Sequence, residues 1–408
     1  MKFHHPRHTP DSSGTLHQWD NETANCGMGA IANLRGEKSY DILDYALTSV
    51  CNMTHRGAVD ADMKTGDGSG ILCQIPRPLF AKAAGKFGYT GDENDLGVGV
   101  FFLPEGIAAN IKSFTESVLT RRNIQIVGWR EVPVNPEELG NLARLTQPEI
   151  THLLVSRPAD VDADHFERLL YLVRREVERE FENEAAFYIP TLSSRLISYK
   201  GLAMPATLRA FYSDLQDSDF QTGISLYHQR FSTNTFPAWP LGQPFRMMCH
   251  NGEINTVRGN RNWMRSREEF FSSELWGDDI DLVKNLMHDE ESDSASLDHA
   301  LELLVLSGRR LEHAMRMLVP PAFRHDPDIT EEERAFYNYI RSFSEPWDGP
   351  AGLCFTDGRT LCASLDRNGL RPSRFTLTED GLLYIGSESG AVILPDEKII
   401  RRGRLGPG

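Results

Sequence analysis

A segment of small and apolar residues begins abruptly at Cys26, after 25 residues that contain no apolar core. It opens with Cys26-Gly27-Met28-Gly29, and the glycines leave room for a substrate to approach the backbone closely. We predict that a leader, Met1–Asn25, is cut away and that Cys26 becomes the new amino terminus. A cysteine there carries a thiol nucleophile together with an α-amino base whose pKa is near ~7.7–8.0. The alternative is a buried structural cysteine.

Composition limits the possible functions of the chain. Its 408 residues are 40% hydrophobic and 25% charged, which is typical of a soluble globular protein. The net charge of -15 argues against a general nucleic-acid binder. No apolar run approaches the roughly 20 residues that a membrane span requires, so no membrane contact is expected. Because Met1–Asn25 also lacks the apolar core of a secretory signal peptide, we expect a cytoplasmic protein.

Cysteine spacing gives no support for a metal centre. None of the six cysteines forms a Cys-x-x-Cys pair, so neither a zinc site nor an iron–sulfur cluster is predicted. Four histidines in the leader could bind a metal, but a polar tail is the better explanation of them. A disulfide framework is not expected in a reducing compartment. The cysteines are Cys26, Cys51, Cys73, Cys249, Cys354 and Cys362.

Hydrophobic periodicity predicts helices and strands mixed along one large domain, residues 26–408, without repeats or linkers. Ser39 is a candidate cap for the first helix, and Ser294 or Ser296 for the helix Leu297–Leu306. Asp357-Gly358 and Asp380-Gly381 lie between apolar runs and predict hairpins in a β-rich tail. Further helices are predicted at Glu105–Thr120, Asp164–Glu182 and from near Asn260; strands are predicted at Ile71–Ile75, Leu96–Leu103, Ile124–Val134, Tyr188–Ile197 and Ile224–Phe231.

Polar residues near the ends of two predicted strands are candidates for a site. Asn251-Gly252 could be a hairpin turn, or its side-chain amide and backbone N–H could hold an oxyanion. Arg230 offers a fork of donors that matches a carboxylate, although a lone arginine at a strand end is often a surface residue. Asp293 could bind a substrate ammonium, or be only an acid in the first turn of a helix.

The glycine-rich segment Thr65–Gly70 is similar to a phosphate cradle. It lacks the Gly-Lys-Ser/Thr ending of a nucleotide-binding loop. We therefore expect a tight loop against the active site.

The most distinctive segments of the sequence are Cys26–Gly29, His55–Asp62, Thr65–Gly70, His228–Thr235, Phe236–Leu241, His250–Thr256 and Asp366–Pro372. Together they resemble glutamate synthase, and more narrowly its N-terminal class II glutamine amidotransferase domain. The resemblance runs from Cys26 to the last residue.

The resemblance implies an α+β fold of the N-terminal-nucleophile (Ntn) hydrolase type, a four-layer αββα sandwich of two antiparallel sheets. It implies that Cys26 is the nucleophile exposed by leader removal, and that Asn251 and Gly252 form the oxyanion hole. Arg230 would hold the α-carboxylate of L-glutamine, and Asp293 its α-ammonium. The implied reaction is hydrolysis of glutamine to glutamate and ammonia without a metal.

The sequence stops at Gly408, before the other domains of that family. FMN and an iron–sulfur cluster are expected only on the absent synthase part, and no cofactor is expected in this chain. The partner would be a synthase chain that uses 2-oxoglutarate. Two other hypotheses stay open: a non-catalytic regulatory or interaction module that is never processed, and a different Ntn hydrolase that cleaves another amide.

Overall fold

The computed structural model describes residues 26–57, 64–230 and 238–408. The predicted leader Met1–Asn25 lies outside these residues. So do parts of the segments His55–Asp62, His228–Thr235 and Phe236–Leu241, and the predicted strand end at Phe231.

Fourteen strands form three sheets in the described residues, and all their pairings are antiparallel. The strands are β1 Gly27–Asn33, β2 Ser69–Gln74, β3 Leu96–Leu103, β4 Gln125–Glu131, β5 Glu149–Ser156, β6 Tyr188–Ser193, β7 Leu196–Gly201, β8 Ile224–Gln229, β9 Met248–Gly252, β10 Ala351–Thr356, β11 Leu361–Leu365, β12 Arg374–Thr378, β13 Leu382–Gly386 and β14 Ile399–Arg404. The sheet orders are β14-β12-β13-β1-β8-β2-β7, β11-β10-β9 and β4-β5-β3-β6.

Ten α-helices accompany these strands in the described part of the chain. They are α1 Tyr40–Asn52, α2 Arg77–Gly85, α3 Ala108–Arg121, α4 Asn141–Leu145, α5 Ala163–Glu180, α6 Pro205–Phe211, α7 Val257–Glu268, α8 Asp293–Leu306, α9 Leu311–Leu318 and α10 Glu331–Ile340. No helix in these ranges is long and apolar enough to cross a membrane.

Strand β1 shows how the layers are built, because its successive side chains enter different cores. Ile31 packs with apolar residues of α1 and α6 on one face of the seven-stranded sheet. Met28 packs on the other face, against Cys249 of β9 and Cys354 of β10. The outer face of the β9–β11 sheet is covered by α8 and α9. The predicted αββα sandwich is therefore confirmed.

The four-stranded sheet is an addition to this sandwich. Phe101 and Leu153 on one face pack against α3 and α5, while Val98 and Phe102 on the other face join the core beneath α1. The prediction of one strand over Tyr188–Ile197 is wrong, because a turn separates β6 from β7. Ser193 Oγ accepts hydrogen bonds from the backbone N–H groups of residues 195 and 196 and thereby closes that turn.

Two helix starts test the predicted caps. Ser39 does occupy the N-cap position of α1, although its side chain makes no capping hydrogen bond. For α8 the prediction is wrong: the cap is Ser292, whose Oγ accepts from Ala295 N. Ser294 and Ser296 lie inside the helix, where their hydroxyls bond instead to His250 and Arg261.

Candidate active site

Cys26 lies immediately before β1, near the middle of the seven-stranded sheet, and is only 5% exposed. Gly27 pairs with Gln229, the last residue of β8. This register places Arg230 beside Cys26, although more than 200 residues separate them in the sequence. The antiparallel sheet thus brings the predicted nucleophile and the predicted carboxylate-binding residue to one strand end.

Arg230 is held in an unusual backbone conformation. Its φ is +90°, a region that residues other than glycine rarely adopt. Its backbone N–H donates to Gly68 O at 2.8 Å, and its Nε lies 3.3 Å from Asp67 Oδ2. Asp67 and Gly68 of the predicted loop Thr65–Gly70 therefore pack against Arg230, whereas its last two residues begin strand β2. Such strain persists only where surrounding contacts impose it, and it is concentrated at functional sites.

Asn251 contacts Cys26, the predicted nucleophile, directly. It is buried in β9, and its Nδ2 donates to the backbone carbonyl of Cys26 at 3.0 Å. A side-chain amide has two N–H donors, so this hydrogen bond uses one of them. It holds the Asn251 amide against Cys26 and links the two sheets at the site.

Gly252 ends β9, so the alternative of a hairpin turn at Asn251-Gly252 is wrong. The N–H of the next residue, Glu253, donates to Pro350 O at 3.0 Å. Bonded and non-bonded pairs alternate in an antiparallel ladder, so the Gly252 N–H faces away from β10, at the outer edge of the sheet. Gly252 has a φ of +135°, and a Cβ there would lie 1.8 Å from Pro350 O. Only glycine fits at this position.

Asp293 connects α8 to the loop that follows Gly252. Its Oδ2 accepts from Ile254 N at 2.7 Å and its Oδ1 from Ser294 N at 2.7 Å. It is the first residue of α8, as the first-turn interpretation predicted, and it is 4% exposed. It also acts electrostatically on the Cys26 thiol, so it lies near Cys26. That Asp293 binds a substrate ammonium stays a prediction.

Four charged residues act on the Cys26 thiol. Burial raises the pKa of the thiol to about 11; Arg230 and Arg371 oppose this rise, whereas Asp293 and Asp67 add to it. A thiol with this pKa is protonated at neutral pH. In the chain that still carries Asn25, the thiol therefore needs a base before it can attack.

Sequence reasoning assigned no role to Arg371 or Asp67. Arg371 lies at the end of a loop that begins at Asp366. The Oδ2 of Asp366 stabilises this loop by accepting a hydrogen bond from Leu370 N at 2.9 Å. Both residues lie in the segments that carry the family resemblance, and that was the available signal. Their proximity to Cys26 depends on tertiary folding.

Two buried histidines beneath the site were also missed. His228 Nε2 lies 2.9 Å from the backbone carbonyl of His250, and His250 Nδ1 lies 2.8 Å from Ser294 Oγ. Burial lowers the pKa of both rings, that of His228 to about 4. At neutral pH they are uncharged and serve as hydrogen-bonding links between β8, β9 and α8. Among the described residues, no cluster of three or more His, Cys, Asp or Glu could hold a metal ion.

Comparison with known proteins identifies a family that matches nearly the whole chain. The family model described as "Glutamine amidotransferases class-II" matches residues 26–408. The chain is 42% identical over 407 residues to the ferredoxin-dependent glutamate synthase of Pyropia yezoensis, covering 97% of this chain and 26% of that protein.

Two bacterial relatives are similarly close. The glutamate synthase [NADPH] large chain of Azospirillum brasilense is 42% identical over 388 residues, and that of Bacillus subtilis is 41% identical over 387 residues. Each match covers 94% of this chain, with 26% and 25% of the respective relative. The chain thus spans about a quarter of the length of the curated relatives that it matches. Family match and site geometry together establish that the chain belongs to the class II glutamine amidotransferases.

Proposed function

We propose that this chain hydrolyses L-glutamine to glutamate and ammonia through a thioester on Cys26, as the amidotransferase unit of a glutamate synthase. The observation that carries the proposal is the assembly of Cys26, Arg230, Asn251, Gly252 and Asp293 at one strand end. These residues supply a thiol, a cation, two oxyanion donors and a carboxylate. An amino acid with a side-chain amide needs all of these groups.

Glutamine would be oriented by its charged end. Its α-carboxylate would bind the Arg230 guanidinium, which already pairs with Asp67, and its α-ammonium would bind Asp293. Asp67 holds the arginine side chain in place before the substrate arrives. The two opposite charges of the substrate meet two opposite charges of the site. This complementarity favours an amino acid over a simple amide.

The chemistry would follow from the groups around the thiol. The α-amino group of a processed Cys26 takes the thiol proton, and the sulfur attacks the δ-carbonyl carbon. Asn251 and Gly252 stabilise the resulting oxyanion, a role in which one donor is typically worth about 2.7–4 kcal/mol. The C–N bond then breaks as the amine returns its proton to the leaving ammonia. Water attacks the thioester and releases glutamate and the thiol.

Leader removal is essential to this mechanism. While Asn25 is attached, the nitrogen of Cys26 is an amide and cannot act as a base. The pKa of the buried thiol, about 11 in this form, leaves it protonated. The unprocessed chain would therefore bind glutamine without hydrolysing it, which also describes the alternative of a non-catalytic regulatory module.

The ammonia would pass to a synthase chain that uses 2-oxoglutarate. This partner is proposed from the relatives, which are about four times longer than the match. FMN and an iron–sulfur cluster would belong to that partner. All six cysteines are unpaired thiols, which suits the reducing cytoplasm where we place the protein.

The test combines intact mass with a glutaminase assay. A chain beginning at Cys26 should release glutamate from glutamine, and Cys26→Ser should lower kcat by at least roughly 10³-fold, because the nucleophile is lost. Cys51→Ser alters an exposed cysteine on α1 and should leave kcat unchanged. Equal activity of the Cys26→Ser variant would refute the proposal. A processed chain that prefers another amide in a substrate panel would point to a different Ntn hydrolase.

A further inference from the structure

We infer that Gln243 is a positioning residue for the oxyanion donors, acting through the backbone of His250. Its side-chain amide bonds both polar groups of that backbone: His250 N donates to Gln243 Oε1 at 2.9 Å, and Gln243 Nε2 donates to His250 O at 3.4 Å. The inference deepens the proposed function and rests on it.

Strand β9 explains why such a side chain is needed. β9 is the outer strand of the three-stranded sheet formed by the described residues. Asn251 pairs with Gly352 of β10, so the backbone groups of His250 and Gly252 face the opposite edge. There the Gln243 amide provides an acceptor and a donor to His250, as a neighbouring strand would.

The contact is protected from water. Gln243 is 1% exposed and His250 is 1% exposed. Buried backbone groups need partners, and the His250 carbonyl has a second donor in His228 Nε2, at 2.9 Å. The His250 N–H, in contrast, has Gln243 as its described partner. Substitution of Gln243 would therefore remove the hydrogen bond of the His250 N–H, whereas the carbonyl would keep its bond to His228.

Neighbouring residues fix Gln243 itself. Gly70 of β2 lies so close that a Cβ there would be 2.6 Å from the Gln243 backbone oxygen. Lys200 Nζ donates to Pro240 O at 2.9 Å in the same segment. The segment that carries Gln243 is thus packed between the seven-stranded sheet and β9. The backbone of Gln243 is therefore held in place, and its side-chain amide extends from there to β9.

Gln243 should therefore affect the direction in which the Gly252 N–H points. His250 and Gly252 are two residues apart on one strand and direct their N–H groups to the same edge, so a rotation of the edge at His250 also rotates the Gly252 donor. That donor matters most when the oxyanion has formed. Displacements on the order of 1 Å can cost about 10²-fold in rate. Gln243 should thus affect kcat and leave the KM for glutamine nearly unchanged.

The experiment compares Gln243→Met with Gln74→Met in the full chain, after intact mass shows that each begins at Cys26. Gln74 is a matched control, because its amide also bonds two backbone groups: it accepts from Gly223 N at 2.9 Å and donates to Gly358 O at 2.7 Å. We expect Gln243→Met to lower kcat at least about 10-fold with KM changed less than about 3-fold. Gln74→Met should leave both constants unchanged.

A second variant covers the case in which Gln243→Met does not fold. Gln243→Glu keeps an acceptor for His250 N–H, and its carboxyl regains a donor for His250 O when protonated. The ratio of wild-type to variant kcat should therefore shrink as the pH is lowered from 8 to 6. The inference would be overturned if Gln243→Met kept a kcat within about 2-fold of wild type or raised only KM. It would also be overturned if the ratio for Gln243→Glu did not depend on pH. An inactive wild-type chain would instead refute the proposed function.

Discussion

Arg230 shows how a single residue can serve both the fold and the site. Its backbone departs from β8 with a positive φ, and its N–H is bound to the loop that carries Asp67. The same loop pairs with its guanidinium. A residue held from both ends loses little further freedom when a substrate carboxylate binds, which is the basis of preorganisation.

We predict that Arg230→Gln raises the KM for glutamine by roughly 10- to 100-fold, because a hydrogen bond to a charged group contributes about 1.5–3 kcal/mol. The kcat should change little, since this contact forms in both the ground state and the transition state. Steady-state kinetics of glutamate release would measure both constants.

The control for this prediction is a substrate that lacks the α-carboxylate. With 4-aminobutanamide, wild type and Arg230→Gln should have similar values of kcat/KM. An equal loss with both substrates would mean that Arg230 supports the fold and does not bind the carboxylate.

The sequence allowed individual site residues to be predicted better than the contacts between distant segments. Cys26, Asn251, Gly252, Arg230 and Asp293 meet in space, as the family resemblance implied. Arg371 and Gln243 were not assigned roles, because their relation to Cys26 and His250 arises from the packing of separate loops. Periodicity within one segment contains no information about such contacts.

At the scale of elements, the sequence predicted a strand correctly where all its side chains are buried. It did not predict a strand whose exposed side chains are charged. The predicted strand Leu96–Leu103 has the bounds of β3, whose side chains are all buried. Strand β14 was missed because its sequence includes Arg401, Arg402 and Arg404, which are exposed at the sheet edge. Edge strands commonly carry charges, so apolar alternation does not reveal them.

Buried ion pairs connect helix α5 to helix α8 and to the segment before β9. Glu178 accepts from Arg174 at 2.9 Å within the helix and from Arg246 at 2.6 Å across to the segment before β9. Arg174 also pairs with Glu302 of α8. Although burial opposes its charge, the pKa of Glu178 is lowered to about 2 by Arg174, Arg246 and Arg175. The carboxylate is thus ionised at every pH at which the protein would be studied.

We predict that Glu178→Gln lowers the free energy of unfolding by about 3–5 kcal/mol, because buried arginines lose their compensating charge. Urea denaturation at pH 7.5 would measure the change. Glu176→Gln on the same helix removes partly exposed ion pairs with Arg121 and Arg122 and should cost at most about 1 kcal/mol. Equal losses in the two variants would contradict this account of α5.

At the scale of the whole molecule, buried histidines contribute to the response to acid. Burial lowers the pKa of His152 to about 3 and that of His228 to about 4, below the 6.5 of an ordinary histidine. The unfolded chain therefore binds protons that the folded chain excludes. The stabilisation is complete above pH 6.5 and is lost as the pH falls from 6.5, towards 4 for His228 and towards 3 for His152.

We expect each of these histidines to remove about 2 kcal/mol from the free energy of unfolding between pH 8 and pH 5. Urea denaturation at both pH values would measure the loss. In His152→Gln the difference between the two pH values should shrink by about 2 kcal/mol, whatever the stability of the variant at pH 8. An unchanged difference would show that His152 has the same pKa in the folded and the unfolded protein, and would contradict this account.

The position of β1 has a consequence for synthesis. Met28 N donates to Ser387 Oγ, 359 positions further along the chain, and β1 lies between β8 and β13. On the ribosome, the ladder of β1 is completed only after β13 has been synthesised, and such distant pairings form slowly. The nascent polypeptide thus carries the Cys26 thiol outside its assembled site until synthesis has passed Ser387, so products that stop earlier should not hydrolyse amides.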